Sequence, residues 1–208
     1  MARAWGVKTR NAGQEEAMKH LLDASVDLVV LQGIAGSGKT LLALAAGLEQ
    51  VIETRTYKDI IFTRAPIGVG EDMGFLPGEI TDKMLPWCGA LVDNLEALGV
   101  DEGVAEAKIK ILAMQHMRGR SFHKRYVIID EVQNITPQQI KVLITRAGED
   151  CKIVCLGDAS QVDNRKLNGQ TNGLTYLAHA AKDCEFVKMV ALPDCERSRL
   201  AKWAGEFL

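Results

Sequence analysis

Gly33-Ile34-Ala35-Gly36-Ser37-Gly38-Lys39-Thr40 decides how this chain is read. It matches G-x-x-x-x-G-K-[ST], a loop that wraps phosphate oxygens in backbone N–H groups. The flanks agree. Leu28-Val29-Val30-Leu31 comes before it as an apolar strand, and residues 41–48 follow as a helix. Glycines let the backbone close on an anion without Cβ atoms in the way. The helix start then turns unpaired N–H groups and the positive end of its dipole toward the same point. All eight residues from Gly33 to Thr40 therefore form the expected nucleotide cradle. The pattern assigns Lys39 to the β- and γ-phosphates and the Thr40 hydroxyl to Mg²⁺.

Further apolar, β-branched runs recur along the chain: Ile60-Ile61-Phe62-Thr63, Tyr126-Val127-Ile128-Ile129, Ile153-Val154-Cys155-Leu156 and Phe186-Val187-Lys188-Met189-Val190. Near-continuous apolar strands are buried on both faces, as in a parallel sheet. Helical stretches fall between them, at residues 11–22, 41–54 and 136–146. The last opens Thr136-Pro137-Gln138-Gln139, with a cap, a first-turn proline and a capping-box glutamine in order, and Gly148 is its expected stop. Strands alternating with helices imply an α/β doubly wound core. Residues 65–125 exceed one crossover and read as an insertion, with a helix over 80–98 and a short strand over 108–112. The expected organisation is one domain over residues 1–208.

Composition narrows the function. No apolar run reaches the roughly 18–20 residues of a membrane span. The first residues lack a signal-peptide core. Five cysteines without a C-x-x-C pair suggest reduced thiols and a cytoplasmic location. The net charge is −2, yet residues 71–107 hold nine acids and one base, which leaves the rest at +6. Binding to nucleic acid depends on local basic surface, so the acidic total does not exclude it.

Tyr126-Val127-Ile128-Ile129-Asp130-Glu131 is the second strong signal. An apolar strand ending in two acids suits Mg²⁺ held by Asp130, since Mg²⁺ takes carboxylate oxygens and keeps several waters. Glu131 would orient and deprotonate the water that attacks a γ-phosphate. Leu156-Gly157-Asp158-Ala159-Ser160-Gln161 ends the next strand, where a switch-point ligand lies, and Gln161 could contact a γ-phosphate. From spacing alone, a plain Gly-Asp-Ser turn is favoured there.

Gly157-Asp158-x-x-Gln161 after an Asp-Glu strand end resembles motif III of superfamily 1 helicases. More narrowly, the chain resembles the PhoH-like ATPases. The segments that carry the likeness are Gly33–Thr40, Arg64-Ala65-Pro66 with Gly74-Phe75-Leu76-Pro77-Gly78, Met117-Arg118-Gly119-Arg120-Ser121-Phe122, Ile129-Asp130-Glu131-Val132-Gln133-Asn134, Leu143-Ile144-Thr145-Arg146-Ala147-Gly148 and Gly157-Asp158-Ala159-Ser160-Gln161-Val162-Asp163. The resemblance implies a RecA-like P-loop NTPase core, a mostly parallel sheet flanked by helices, in the single-domain form without a nuclease-like PIN domain. It implies ATP and Mg²⁺ as cofactors and single-stranded RNA or DNA as the partner.

It also distributes roles. Arg197 resembles the family's C-terminal arginine and would stabilise γ-phosphate charge, where a placed arginine supplies about 10³–10⁵ in rate. Arg146 would do this from a neighbouring subunit, or is simply a cation in a last helical turn. Arg64 ends the second strand at the face where related helicases hold nucleic acid. Arg118 and Arg120, with Lys124 and Arg125, form a basic cluster suited to backbone phosphates. Gln14, in Asn11-Ala12-Gly13-Gln14, would read an adenine edge through its amide or lie at an exposed helix start. Phe75, Trp87 and Phe122 are stacking candidates, with core packing the stronger reading. One core per chain implies a homo-oligomer, with a ring such as a hexamer as the expected form. The alternative is a nucleotide-gated binding module that hydrolyses ATP slowly.

Overall fold

Neighbouring residues in each apolar run face opposite sides of one sheet, so both sides must be covered. A computed structural model describes residues 2–65, 89–164, 166–181, 184–196, 199–200 and 203. Its strands are β3 (Leu28–Gly33), β4 (Ile60–Arg64), β5 (Ile109–Ile111), β6 (Tyr126–Asp130), β7 (Lys152–Gly157) and β8 (Val187–Leu192), after a small antiparallel hairpin of β1 (Arg3–Ala4) and β2 (Val7–Lys8). The six-stranded sheet has the order β5-β4-β6-β7-β3-β8, and every described pairing in it is parallel. One core contains Val29, Leu31, Ile128 and Val154; the other contains Val30, Val127, Ile129 and Ile153. This period-2 split explains why the strands look continuously apolar.

Helices α1 (Ala12–Leu22) and α2 (Lys39–Leu48) cover the first face, burying Met18, Leu21, Leu42 and Leu44. Helices α6 (Pro137–Ile144) and α7 (Gly173–Ala180) cover the second with Ile140, Leu143, Leu174 and Leu177. Between β4 and β6 come α3 (Gly89–Ala97), α4 (Glu102–Lys108) and α5 (Met114–Met117), with β5 pairing alongside β4. The stretch between β4 and β6 extends the sheet by an edge strand. The part of the expected helix over residues 80–88 lies outside the described residues, as do Phe75 and Trp87.

Helix limits differ in places from those the sequence predicts. Helix α2 begins at Lys39, which puts Lys39 and Thr40 in its first turn, and it runs into a π-helical stretch, Glu49–Glu53. Helix α6 carries the expected capping box but stops at Ile144, before Gly148, because the following chain bridges Ala147 to Phe122. Phe122 is buried in the second core, as core packing requires. Helix α7, capped by Asn172, was not expected.

Candidate functional site

Parallel strands bring their C-terminal ends to one edge. Gln32 is level with Gly157, Gly33 with Leu192, and Arg64 with Asp130. Strand β7 lies between β3 and β6, so the loop after it falls between the phosphate loop and the acid pair. A cavity of about 730 Å³ opens there, lined by Gly36, Gly38, Lys39, Thr40, Asp130 and Glu131 among others. The two strong sequence signals meet in one place.

The phosphate loop depends on its glycines. Gly36 and Gly38 have φ of 79° and 89°, the left-handed region that L side chains avoid. A Cβ on Gly33 would stand 2.5 Å from the Leu192 carbonyl, so β8 also needs a glycine there. Lys39 Nζ donates to the carbonyls of Gly33 at 2.6 Å and Ile34 at 3.0 Å, which keeps the ammonium over the loop. Ile34 is exposed, Ala35 lines the cavity, and Ser37 is buried with no hydrogen-bond partner for its Oγ among the described residues. Two braces hold the loop from outside. Gln14 Nε2 donates to the Ser37 carbonyl at 3.1 Å, and the Glu196 N–H donates to the Gly36 carbonyl at 2.9 Å. The Glu196 carboxylate in turn accepts from Asn11 Nδ2 at 2.9 Å.

Asp130 and Glu131 close the other side. Asp130 is buried, and its Oδ1 accepts the Glu131 N–H at 3.0 Å. Burial, then the Glu131 charge, push its carboxyl up to about 6, against the pull of Arg64, the Glu131 N–H and Lys39. Glu131 holds φ 58° and ψ 39°, an uncommon conformation for a non-glycine residue and one that clusters at working sites. Its Oε1 accepts from Arg64 Nη2 at 3.1 Å, and its Oε2 accepts from Gln133 Nε2. Arg64 therefore turns onto the expected base and lines the nucleotide cavity. Its strand register with Asp130 places it there.

The donor set fits Mg²⁺. A hydroxyl from Thr40 and the buried Asp130 carboxylate, crowded by the Glu131 charge, are hard oxygen ligands lining one cavity. No cluster of three or more metal-ligating His, Cys, Asp or Glu side chains exists among the described residues, so phosphate oxygens and water would complete the shell.

Gln133, to which motif spacing gives no role, ties the site together. It is fully buried, and its Nε2 reaches both Glu131 Oε2 and, at 3.1 Å, the Gln161 carbonyl. Its Oε1 accepts the Asp158 N–H at 3.1 Å. Gly157 makes room, since a Cβ there would meet Gln133 Oε1 at 2.9 Å. One side chain thus joins the expected base to the loop carrying Gln161, whose exposed residue lines the cavity. Asn134 fastens the rest of that loop, accepting the N–H groups of Asp163 at 2.9 Å and Asn164 at 3.3 Å. The signal for Gln133 was its place two residues after Glu131; its partners depend on strand order, which local spacing does not reveal.

The remaining arginines separate. Arg118 and Arg146 line a second groove of about 440 Å³ with Gln138 and Gln139, and that lining carries no carboxylate. Arg146 lies two residues past the end of α6, and its Nε donates back to the Val142 carbonyl at 3.2 Å, capping an open carbonyl of the last turn. Arg120 is exposed nearby, while Arg125 pairs with Asp59 at 3.0 Å and leaves the basic cluster. Arg197 lies outside the described residues.

A parallel sheet with a phosphate loop after β3 and an acid pair after β6 defines a P-loop NTPase. The chain belongs to the PhoH-like protein family, whose model matches residues 6–207. It is 41% identical to Protein PhoH2 of Bacillus subtilis over 98% of this chain and 48% of that protein. It is 35% identical to Protein PhoH of Escherichia coli K12 over 91% of this chain and 55% of that protein. The chain thus spans about half the length of the curated relatives it matches. Among solved structures, the HK97 bacteriophage large terminase superposes with a TM-score of 0.53 at 14% identity, covering 95% of this chain and 42% of that one. That likeness concerns the fold alone.

Proposed function

We propose that this chain is a Mg²⁺-dependent ATPase that acts on single-stranded RNA or DNA, in the manner of a helicase or remodelling enzyme, as a homo-oligomer. The observation that carries the reading is Glu131, strained at the apex of its turn and held by Arg64 and Gln133 in the phosphate-loop cavity. The loop and Lys39 would bind the triphosphate. Thr40 and Asp130 would hold Mg²⁺, which supplies charge neutralisation for phosphoryl transfer. Glu131 would take a proton from the attacking water, and Gln161 would report the γ-phosphate through Gln133.

Arg64, Arg118 and Arg120 are the proposed nucleic-acid contacts, supported at Arg118 by an acid-free groove beside α6, while Arg64 would have to leave Glu131 to serve. Affinity for a single strand should fall with salt at a slope near −0.7 per phosphate neutralised, flattening as these arginines are removed. Arg146 and Arg197 remain proposed arginine donors across a ring interface. No helix among the described residues is long and apolar enough to cross a membrane, and the four described cysteines are free, which supports a cytoplasmic setting.

The alternative is a nucleotide-gated switch with slow hydrolysis. In that reading the Arg64 ion pair would hold the Glu131 carboxylate away from the attacking water. ATP turnover with and without single-stranded RNA or DNA separates the two. Strong stimulation supports the nucleic-acid enzyme, and an unstimulated slow rate supports the switch.

A further inference from the structure

We propose that the cavity takes nucleoside triphosphates by their phosphates without selecting the base, and that Gln14 positions the phosphate loop. This rests on reading the cavity as a nucleotide site. Gln14 sits in the first turn of α1, its N–H donating to the capping Asn11 Oδ1 at 2.9 Å. Its side chain turns inward and only 5% of the residue is exposed. Both ends of its amide are engaged by backbone. Nε2 donates to the Ser37 carbonyl at 3.1 Å, and Oε1 accepts the Arg10 N–H at 2.9 Å. Nε2 also lies 3.2 Å from where a Gly38 Cβ would stand, so the amide fills the back of the left-handed turn in the loop.

Reading a base edge takes a donor and an acceptor presented outward together. Gln14 lines the cavity, but its Nε2 and Oε1 already serve Ser37 and Arg10, and turning the amide outward would leave that carbonyl and N–H without these partners. Among the described residues that line the cavity beside Gln14, the other candidates differ in kind. Val7 and Lys8 come from the β1–β2 hairpin, and the Arg10 side chain is 68% exposed. An apolar surface and long cations stack on any base or attract any phosphate. The Asn94 amide donates to Ala90 within its own helix, and Asn11 and Arg10 engage the Glu196 carboxylate.

The test measures binding of ATP, GTP, CTP, UTP and inorganic tripolyphosphate, each with Mg²⁺, to the full chain by calorimetry. Wild type is compared with Gln14→Ala and Gln14→Glu. The four nucleotides should bind within about tenfold of one another, since selection by hydrogen bonds to a base edge gives far larger ratios. Gln14→Ala should weaken all five ligands by one common factor, tripolyphosphate included. Gln14→Glu, which keeps the size and the Arg10 contact but loses the donor to Ser37, should do the same and carries the test if the alanine variant misfolds. Preference for ATP by about 10² or more overturns the inference. So does a Gln14 variant that weakens ATP while tripolyphosphate binds as before. If none of the five binds, the nucleotide reading falls with it.

Discussion

Asp59 and Asp130 are both buried aspartates, at opposite ends of neighbouring strands, and they are treated differently. Asp59 stands just before β4 and is closed off by Lys110 at 2.6 Å and Arg125 at 3.0 Å. Asp130 ends β6 beside a second carboxylate, with its own carboxyl pushed up to about 6. The same contrast holds for lysines. Lys152 starts β7 at the first edge and donates to the carbonyls of His20 at 3.2 Å and Asp23 at 2.6 Å, closing the end of α1. Lys39, at the other edge, curls over a loop shaped for anions. At one edge charges are matched to hold the sheet together. At the other, two carboxylates crowd each other and a backbone angle is strained, features that stability alone does not favour.

The comparison breaks most sharply at Glu131. Glu131→Gln should keep ATP binding and lose about 10³-fold in turnover, since it removes the base and keeps the shape. Its thermal stability should change little, because relief of the charge crowding at Asp130 is offset by loss of the Arg64 ion pair. Steady-state turnover, a binding isotherm and a melting curve check this together; a wild-type rate refutes the assignment.

Lys152→Met probes the structural edge, and there stability should respond. Burial lowers the Lys152 pKa from 10.5 to about 8. Below pH 8 folded and unfolded chains both carry the proton. Between about 8 and 10.5 only the unfolded chain does, so rising pH favours the folded wild type. The stability of wild type minus that of Lys152→Met should therefore grow across that window, by on the order of 3 kcal/mol in all. Taking the difference removes the opposing high-pH effect of the buried Cys155 thiol, itself pushed up to about 12. Denaturant titrations at pH 7.5 and 10 measure it, and a constant difference would show that Lys152 is not buried as a cation.

Gln133→Met sharpens the boundary between the edges, because Gln133 is as buried as the core yet serves the site. It should lower kcat by about tenfold with little change in KM, as expected for a residue that aligns a base rather than binds substrate. A proportional rise in KM alone would place Gln133 in nucleotide binding instead.

The legible parts of this molecule were those whose chemistry requires consecutive residues. A phosphate cradle needs eight residues in order, from Gly33 to Thr40, and a strand-end acid pair needs Asp130 and Glu131 adjacent. Strands buried on both faces betray themselves by apolar runs, so the parallel sheet could be read as well. What stayed hidden depends on strand order. Arg64 turns onto Glu131 because β4 lies beside β6, and Gln133 meets Asp158 because β7 lies on the other side. Nothing in local spacing fixes either neighbour. The β1–β2 hairpin is two residues per strand, too short for any periodicity, and the available clue to α7 was its Asn172 cap.

The most direct test of the central claim is phosphate release from ATP by the purified chain with Mg²⁺, beside a chelator control and Lys39→Ala. Steady release should stop when Mg²⁺ is removed and collapse in Lys39→Ala. Release at the buffer background while ATP still binds, or release unchanged by Lys39→Ala, would contradict that claim.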